Sequence, residues 1–134
     1  MKNCFHLTSA LISLYNYAIM SSKLIIANSS RLFNYTMILD GRAMGEVSPL
    51  APGIITIEPG NHELSFKDSD VDNLPTNCKP ICIIIEDGKT LHLNVTTEDF
   101  SIRIYDEQGT HLNGKRGFLC GKIAEGVRIE NPIA

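Results

Sequence analysis

Glycine repeatedly follows a turn-forming residue between short apolar runs, and this pattern limits the fold more than any other feature. The dipeptides are Asp40-Gly41, Pro59-Gly60, Asp87-Gly88, Gln108-Gly109 and Glu125-Gly126. Glycine adopts positive φ at no steric cost, and tight turns between strands require that conformation. The spacing of about twenty residues fits two short strands and a connection. The chain is therefore predicted to be a succession of strands.

The runs between these glycines alternate as strands do. In "YTMILDG" the residues Tyr35, Met37 and Leu39 share one face, and in "KTLHLNVT" so do Leu91, Leu93 and Val95. "FSIRIYDEQG" alternates Ile102 and Ile104 with Arg103, whereas the unbroken "PICIIIEDG" predicts a strand buried on both faces. No run after Met20 has helical periodicity. These patterns predict an all-β fold, an antiparallel β-sandwich of the immunoglobulin or prealbumin-like kind.

The N-terminal segment, residues 1–19, has a different character. "MKNCFHLTSALISLYNYAIM" is open to three interpretations: a weak signal peptide, a short amphipathic helix, or an extra leader before a start at Met20. The segment is too short and too polar to span a membrane. We therefore divide the chain into residues 1–19 and a single β-sandwich domain over 20–134, with a C-terminal hairpin extension after about residue 98.

Three stretches between Lys23 and about Thr97 resemble the PEGA domain, a small bacterial β-sandwich module. They are "MILDGRAMGEV", "IEPGNHELSF" and "EDGKTLHLNV". In the first, Gly45 is expected to permit a tight reversal. The chain departs from the family after this stretch, where Ser48-Pro49-Leu50-Ala51-Pro52 replaces the usual threonine-proline, and residues from about Phe100 onward lie outside the resemblance. The resemblance implies a binding or scaffolding role without catalysis, and it names no ligand.

Charge and cysteine content bear on partners and compartment. A net charge of −3 in 134 residues offers no basic surplus for nucleic acid. Without a clear export signal the expected location is the cytoplasm, with export as the alternative if residues 1–19 act as a signal. Four cysteines, Cys4, Cys78, Cys82 and Cys120, are then expected to be reduced thiols. A Cys78–Cys82 or Cys78–Cys120 bridge is the alternative in an oxidising compartment.

Candidate reactive groups are few. Zinc would require Cys78, Cys82 and Cys120 with one of His62, His92 or His111, and thiol catalysis would require Cys82 or Cys120 beside a histidine such as His92. His62 is expected to be an exposed turn residue, and "HLNGKRG" (residues 111–117) a solvated turn.

Three alternating carboxylates, Asp68, Asp70 and Asp72, are candidates for a Ca²⁺ site, because Ca²⁺ prefers oxygen ligands. The EF-hand pattern fails, since Asn73 stands where glycine is needed and Lys79 where a bidentate glutamate is needed. A solvated acidic loop is the favoured interpretation.

The expected function is that of a non-catalytic binding or structural interaction module, needing no cofactor. It would contact a protein partner, or a second copy of itself as a homodimer, through an edge strand. Two alternatives stay open: a Ca²⁺-dependent adhesion domain using Asp68, Asp70 and Asp72, and an enzyme centred on Cys120.

Overall fold

The computed structural model describes residues 21–69, 78–114 and 121–130. This part of the chain is all-β and contains ten strands. They are β1 (Ser22–Asn28), β2 (Tyr35–Leu39), β3 (Arg42–Val47), β4 (Gly53–Ile57), β5 (Gly60–Asp68), β6 (Ile81–Ile85), β7 (Thr90–Glu98), β8 (Ser101–Tyr105), β9 (Gly121–Ala124) and β10 (Val127–Glu130). The prediction of an all-β fold is confirmed, while residues 1–19 and their proposed helix lie outside the described residues.

The strands form two sheets. The four-stranded sheet has the order β4-β1-β7-β8, and the six-stranded sheet has the order β3-β2-β5-β6-β10-β9. Neighbouring strands are antiparallel except β1 and β7, which run parallel with Leu24 opposite Leu91. The sandwich is thus mostly antiparallel, as expected, with this parallel pair as the exception among the described strands. Parallel neighbours need a long connection, and the chain from β2 to β6 supplies it.

One hydrophobic core lies between the two sheets, as in a β-sandwich. Its members come from both sheets and include Leu24, Tyr35, Leu64, Ile83, Leu91, Val95, Ile104 and Ile129. The alternation predicted for β2, β7 and β8 is confirmed, because their predicted inward residues are all buried. For β6 the prediction of burial on both faces is wrong. Ile81, Ile83 and Ile85 are buried, but Cys82 and Ile84 lie partly exposed on the outer face of the six-stranded sheet.

The five predicted glycine turns all have positive φ, at Gly41, Gly60, Gly88, Gly109 and Gly126. They serve different connections. The turns after β2 and β9 close hairpins, whereas those after β4 and β6 carry the chain from one sheet to the other. Turn dipeptides therefore predict where the chain turns but not which sheet receives the next strand.

Gly45 does not form the reversal predicted for it. It lies inside β3, opposite Met37, at a register shift in the β2–β3 pair. Its φ of 145° is sterically allowed for glycine, which has no Cβ. Such a β-bulge twists an edge strand, so this glycine shapes the edge of the six-stranded sheet.

The domain has two distinct ends. We call the end that carries the turns after β2, β4, β6 and β9 the turn end. The opposite end, which we call the loop end, carries loops 29–34 and 48–52 and the turn at residues 99–100. Asn28 ties the first two of these together, since its Nδ2 donates to the carbonyls of Phe33 (2.7 Å) and Val47 (3.1 Å). Ser29 N–H donates to the carbonyl of Val95, which lies near the end of β7 and so close to the turn at residues 99–100.

The strands after residue 98 are integrated into both sheets. β8 is an edge of the four-stranded sheet, whereas the β9–β10 hairpin continues the six-stranded sheet beside β6. Val127 and Ile129 of β10 are buried in the shared core. The segment that lies outside the family resemblance is therefore part of the same folded unit.

Candidate functional site

The β8 edge of the four-stranded sheet is closed by the chain that follows it. Leu112 N–H donates to the carbonyl of Ile104 (2.7 Å), and the Asn113 side chain continues the pattern. Its Oδ1 accepts the N–H of Ile104 (2.8 Å), and its Nδ2 donates to the carbonyls of Ile102 (3.0 Å) and Lys79 (3.0 Å). A side-chain amide thus takes the place of a neighbouring strand.

This closure corrects a sequence prediction. Residues 111–117 were expected to form a solvated turn, but Leu112 and Asn113 are 0% and 5% exposed. His111 packs against Tyr105, with ring centroids 5.2 Å apart. Residues 115–117 lie outside the described residues. Nothing local in the sequence marks Asn113, because the groups that it binds in β8 and before β6 are brought to it by the fold.

The opposite edge of the four-stranded sheet, β4, has no second neighbouring strand among the described residues, where it pairs only with β1. An edge strand of this kind presents a row of unpaired N–H and C=O groups. Its sequence, "GIITI", carries no charge, and Ile54 is 62% exposed. Ile54 lies opposite Ile25 of β1 on the outer face of the sheet.

The adjacent edge strand β3 has the features that prevent pairing. It carries the bulge at Gly45 and two exposed charged residues, Arg42 and Glu46. Bulges and charges are the usual protection of sheet edges. The free edge of β4 is therefore the candidate site, and what it can do chemically is form backbone hydrogen bonds with another extended strand.

His62 forms a clamp between two turns. Its Nδ1 donates to Asp40 Oδ2 (2.7 Å) and its Nε2 to the carbonyl of Glu58 (2.5 Å). Both partners are acceptors, so the ring must be protonated to make both bonds. The side chain is only 13% exposed, and the prediction of an exposed turn histidine is wrong.

The pKa values of this pair follow from its contacts. Partial burial lowers the pKa of His62, but the hydrogen bonds and charges of Asp40 and Glu58 outweigh it and the pKa is raised. Burial acts to raise the pKa of Asp40, and the bonds to His62 and to Glu63 N–H reverse this, so the pKa is lowered. With Nε2 held by a carbonyl, the imidazole has no free nitrogen to act as a general base.

The two described cysteines are free thiols; Cys78 packs against the core, whereas Cys82 lies on the outer face of the six-stranded sheet. Burial raises the pKa of Cys78 to about 11. Cys82 lies on the outer face, where partial desolvation and then the charges of Glu63 and Glu130 raise its pKa. The Cys78–Cys82 bridge is thus not formed, and His92 lies on the outer face of the other sheet, away from Cys82. Cys4 and Cys120 lie outside the described residues.

The acidic candidates do not form a site in the described chain. Asp68 is the last residue of β5, is 6% exposed and shares the inner face with Phe66, so it does not belong to a solvated loop. Asp70 and Asp72 lie outside the described residues. Among residues 21–69, 78–114 and 121–130, no three His, Cys, Asp or Glu side chains are placed to hold a metal ion, zinc included.

The chain was compared with protein-family models, curated proteins and solved structures, and none of them matches it. In the described residues there is no helix long and apolar enough to cross a membrane.

Proposed function

We propose that the protein is a non-catalytic β-sandwich interaction module that associates with a second copy of itself through β4. In this proposal it is a bacterial, cytoplasmic protein of the PEGA-like, immunoglobulin or prealbumin-like class. The observation that carries the proposal is the contrast between the two edges of the four-stranded sheet. One edge is sealed by Asn113, and the other offers an uncharged, unpaired strand.

A second copy is the partner that β4 fits best. Two β4 strands can pair antiparallel across a two-fold axis, which joins two four-stranded sheets into one of eight. Because "GIITI" has no charge, no like charges come to face each other in such a pair. The exposed Ile54 side chains would then be partly covered on the outer face of the joined sheet.

The expected association is weak. Two paired strands of five residues bury less area than the roughly 1,200 Å² at the lower end of stable interfaces. Hydrogen bonds contribute only about 1 kcal/mol each in net terms, and association has its own entropic cost. A dissociation constant on the order of micromolar is expected.

Sedimentation velocity from low to high micromolar concentration tests this proposal. The wild type should form a dimer, and Ile54→Lys should remain a monomer because it places a charge on the pairing strand. His92→Lys is the matched control, since His92 is exposed on the same outer face but lies on the interior strand β7.

A wild-type protein that stays monomeric at high micromolar concentration would refute self-association. Equal loss of the dimer in His92→Lys would show that the sheet faces, not the edges, make the contact. No contact in the described residues favours catalysis or Ca²⁺ binding over this role.

A further inference from the structure

Three separate segments at the loop end each expose one large apolar side chain. Leu32 in loop 29–34 is 82% exposed, Leu50 in loop 48–52 is 96% exposed, and Phe100 in the β7–β8 turn is 91% exposed. Single exposed apolar residues are ordinary on protein surfaces. Three of this size lie at the same end of one domain, on connections whose adjoining strand ends are tied together by Asn28 and Ser29, and this makes the loop end a candidate contact surface.

The loops that carry the two leucines are held by local hydrogen bonds. Asn28 Oδ1 accepts the N–H and the Oγ–H of Ser30, and this bonding fixes the loop before Leu32. Ser48 Oγ accepts the N–H groups of Leu50 (3.3 Å) and Ala51 (3.2 Å). These two side chains therefore project from ordered backbone.

Phe100 occupies a position that suits glycine. The β7–β8 hairpin turns at Asp99 and Phe100, whose φ values are 51° and 60°. Positive φ at both positions of a two-residue turn favours Asn-Gly or Asp-Gly, and a bulky residue there is strained. Arg103 braces the turn through Glu98 (2.9 Å) and Asp99 (3.4 Å). A strained backbone that presents an exposed aromatic ring suggests a functional contact.

We propose that the loop end inserts Leu32, Leu50 and Phe100 into the interfacial region of a lipid bilayer. The three side chains project from different loops. A fluid bilayer can accept them independently, whereas a protein pocket would have to match their spacing. Leucine and phenylalanine are side chains that bury favourably at the boundary between headgroups and acyl chains.

The distribution of charge agrees with this orientation. Carboxylates concentrate at the turn end, at Asp40, Glu58, Asp87 and Glu125, and this end would face away from the bilayer. Among the described residues at the loop end, the cations Arg31, Lys67, Lys79 and Arg103 nearly balance the carboxylates of Glu46, Asp68, Glu98, Asp99 and Glu130. With charge nearly balanced among these described residues, insertion relies on the apolar side chains and not on attraction to anionic lipids.

The inference does not depend on the pairing of β4. An antiparallel pair would direct the two loop ends away from each other, so each loop end would meet its bilayer separately. The two experiments can therefore give different answers: the protein can self-associate without binding vesicles, or bind vesicles without self-associating.

Co-sedimentation with vesicles tests the inference. One vesicle set is phosphatidylcholine alone and the other contains phosphatidylglycerol as well. The wild type should bind both sets to a similar extent at low and high salt. Leu50→Ser and Phe100→Gly should each weaken binding about tenfold, as expected for the loss of one buried apolar side chain. Ile54→Ser, which removes an exposed apolar side chain at β4, should bind as the wild type does.

Phe100→Gly also separates binding from folding. Glycine relieves the positive φ at this turn, so the melting temperature should rise by about 3 °C while vesicle binding falls. The inference is overturned if the wild type binds neither vesicle set, or binds only anionic vesicles and is released by high salt. It is equally overturned if Leu50→Ser and Phe100→Gly leave vesicle binding unchanged, or if they abolish a lipid-free dimer, since the loop end would then be a protein contact.

Discussion

Replacement of Asn113 by alanine tests how the closed edge of the four-stranded sheet is stabilised. Asn113 is 5% exposed, and its amide bonds three backbone groups, the N–H of Ile104 and the carbonyls of Ile102 and Lys79. Alanine can bond none of them. Two of these groups belong to the buried edge of β8 and would lose the partner that Asn113 provides.

The magnitude follows from those lost partners. A buried backbone group left unsatisfied costs about 1–3 kcal/mol. With three groups affected and some relaxation or water entry, the free energy of unfolding should fall by about 3–5 kcal/mol. That is a large share of the roughly 5–15 kcal/mol by which domains are stable.

Urea denaturation followed by circular dichroism measures the effect. Asn61→Ala is the matched control, because Asn61 is exposed on the outer face of β5 and should change stability by less than about 0.5 kcal/mol. Amide exchange at Ile104 should accelerate in Asn113→Ala beyond the global change. A loss of under about 1 kcal/mol with an unchanged urea dependence would show that Asn113 does not seal this edge.

Three further perturbations have defined outcomes. The folded-state pKa of His62 is raised above 6.5, so its stabilisation is complete below that pH and lost as pH rises through the folded pKa. His62→Gln should thus cost about 1 kcal/mol in mildly acidic buffer and less in alkaline buffer, and equal costs at both would contradict the clamp. Gly126→Ala and Gly109→Ala should each destabilise by about 1 kcal/mol, measured by denaturation, because both glycines have positive φ. The Cβ at residue 126 would meet Lys89 Cγ at 2.8 Å, but the lysine side chain can move aside, so the two losses should agree to within about 0.5 kcal/mol, and a much larger loss at residue 126 would show that Lys89 is held in place. Millimolar Ca²⁺ should leave the melting temperature unchanged, because Asp68 faces the core, and a clear rise would restore the Asp68, Asp70 and Asp72 site.

Local features of the sequence predict the turns and the inward faces. Each turn glycine has the positive φ expected of it, and Met37, Leu93 and Ile104 face the core as their alternation indicates. These features succeed because they depend on residues adjacent in the chain. A turn glycine constrains its own backbone, and a period of two assigns faces within one strand.

Long-range features could not be predicted in this way. The parallel β1–β7 pair depends on which sheet each strand joins after a turn, and turn residues do not encode that choice. The run "ICIII" looks buried on both faces because apolar β-branched residues suit any strand, yet Ile84 lies on an outer face. Asn113 gives no local signal, since its partners lie in β8 and before β6.

Parts of the candidate site and of the loop end could have been found in the sequence. The strand "GIITI" follows Pro52 and lacks the charged residues that usually protect a sheet edge. Leu50 lies between two prolines in an exposed connection. What the sequence leaves undecided is which strands become edges. The order of strands makes both β4 and β8 edges of the four-stranded sheet, and the hydrogen bonds of Leu112 and Asn113 show that β8 is closed, whereas β4 has no second neighbour among the described residues.

Residue-level amide exchange at low and high protein concentration tests the role of β4 most directly. The account predicts that the amides of β4 that point away from β1 become protected about tenfold or more as concentration rises, while Ile104 is protected at every concentration. Ile54→Lys should abolish the concentration dependence. Unchanged exchange throughout β4 in a protein that nevertheless dimerises would contradict the account.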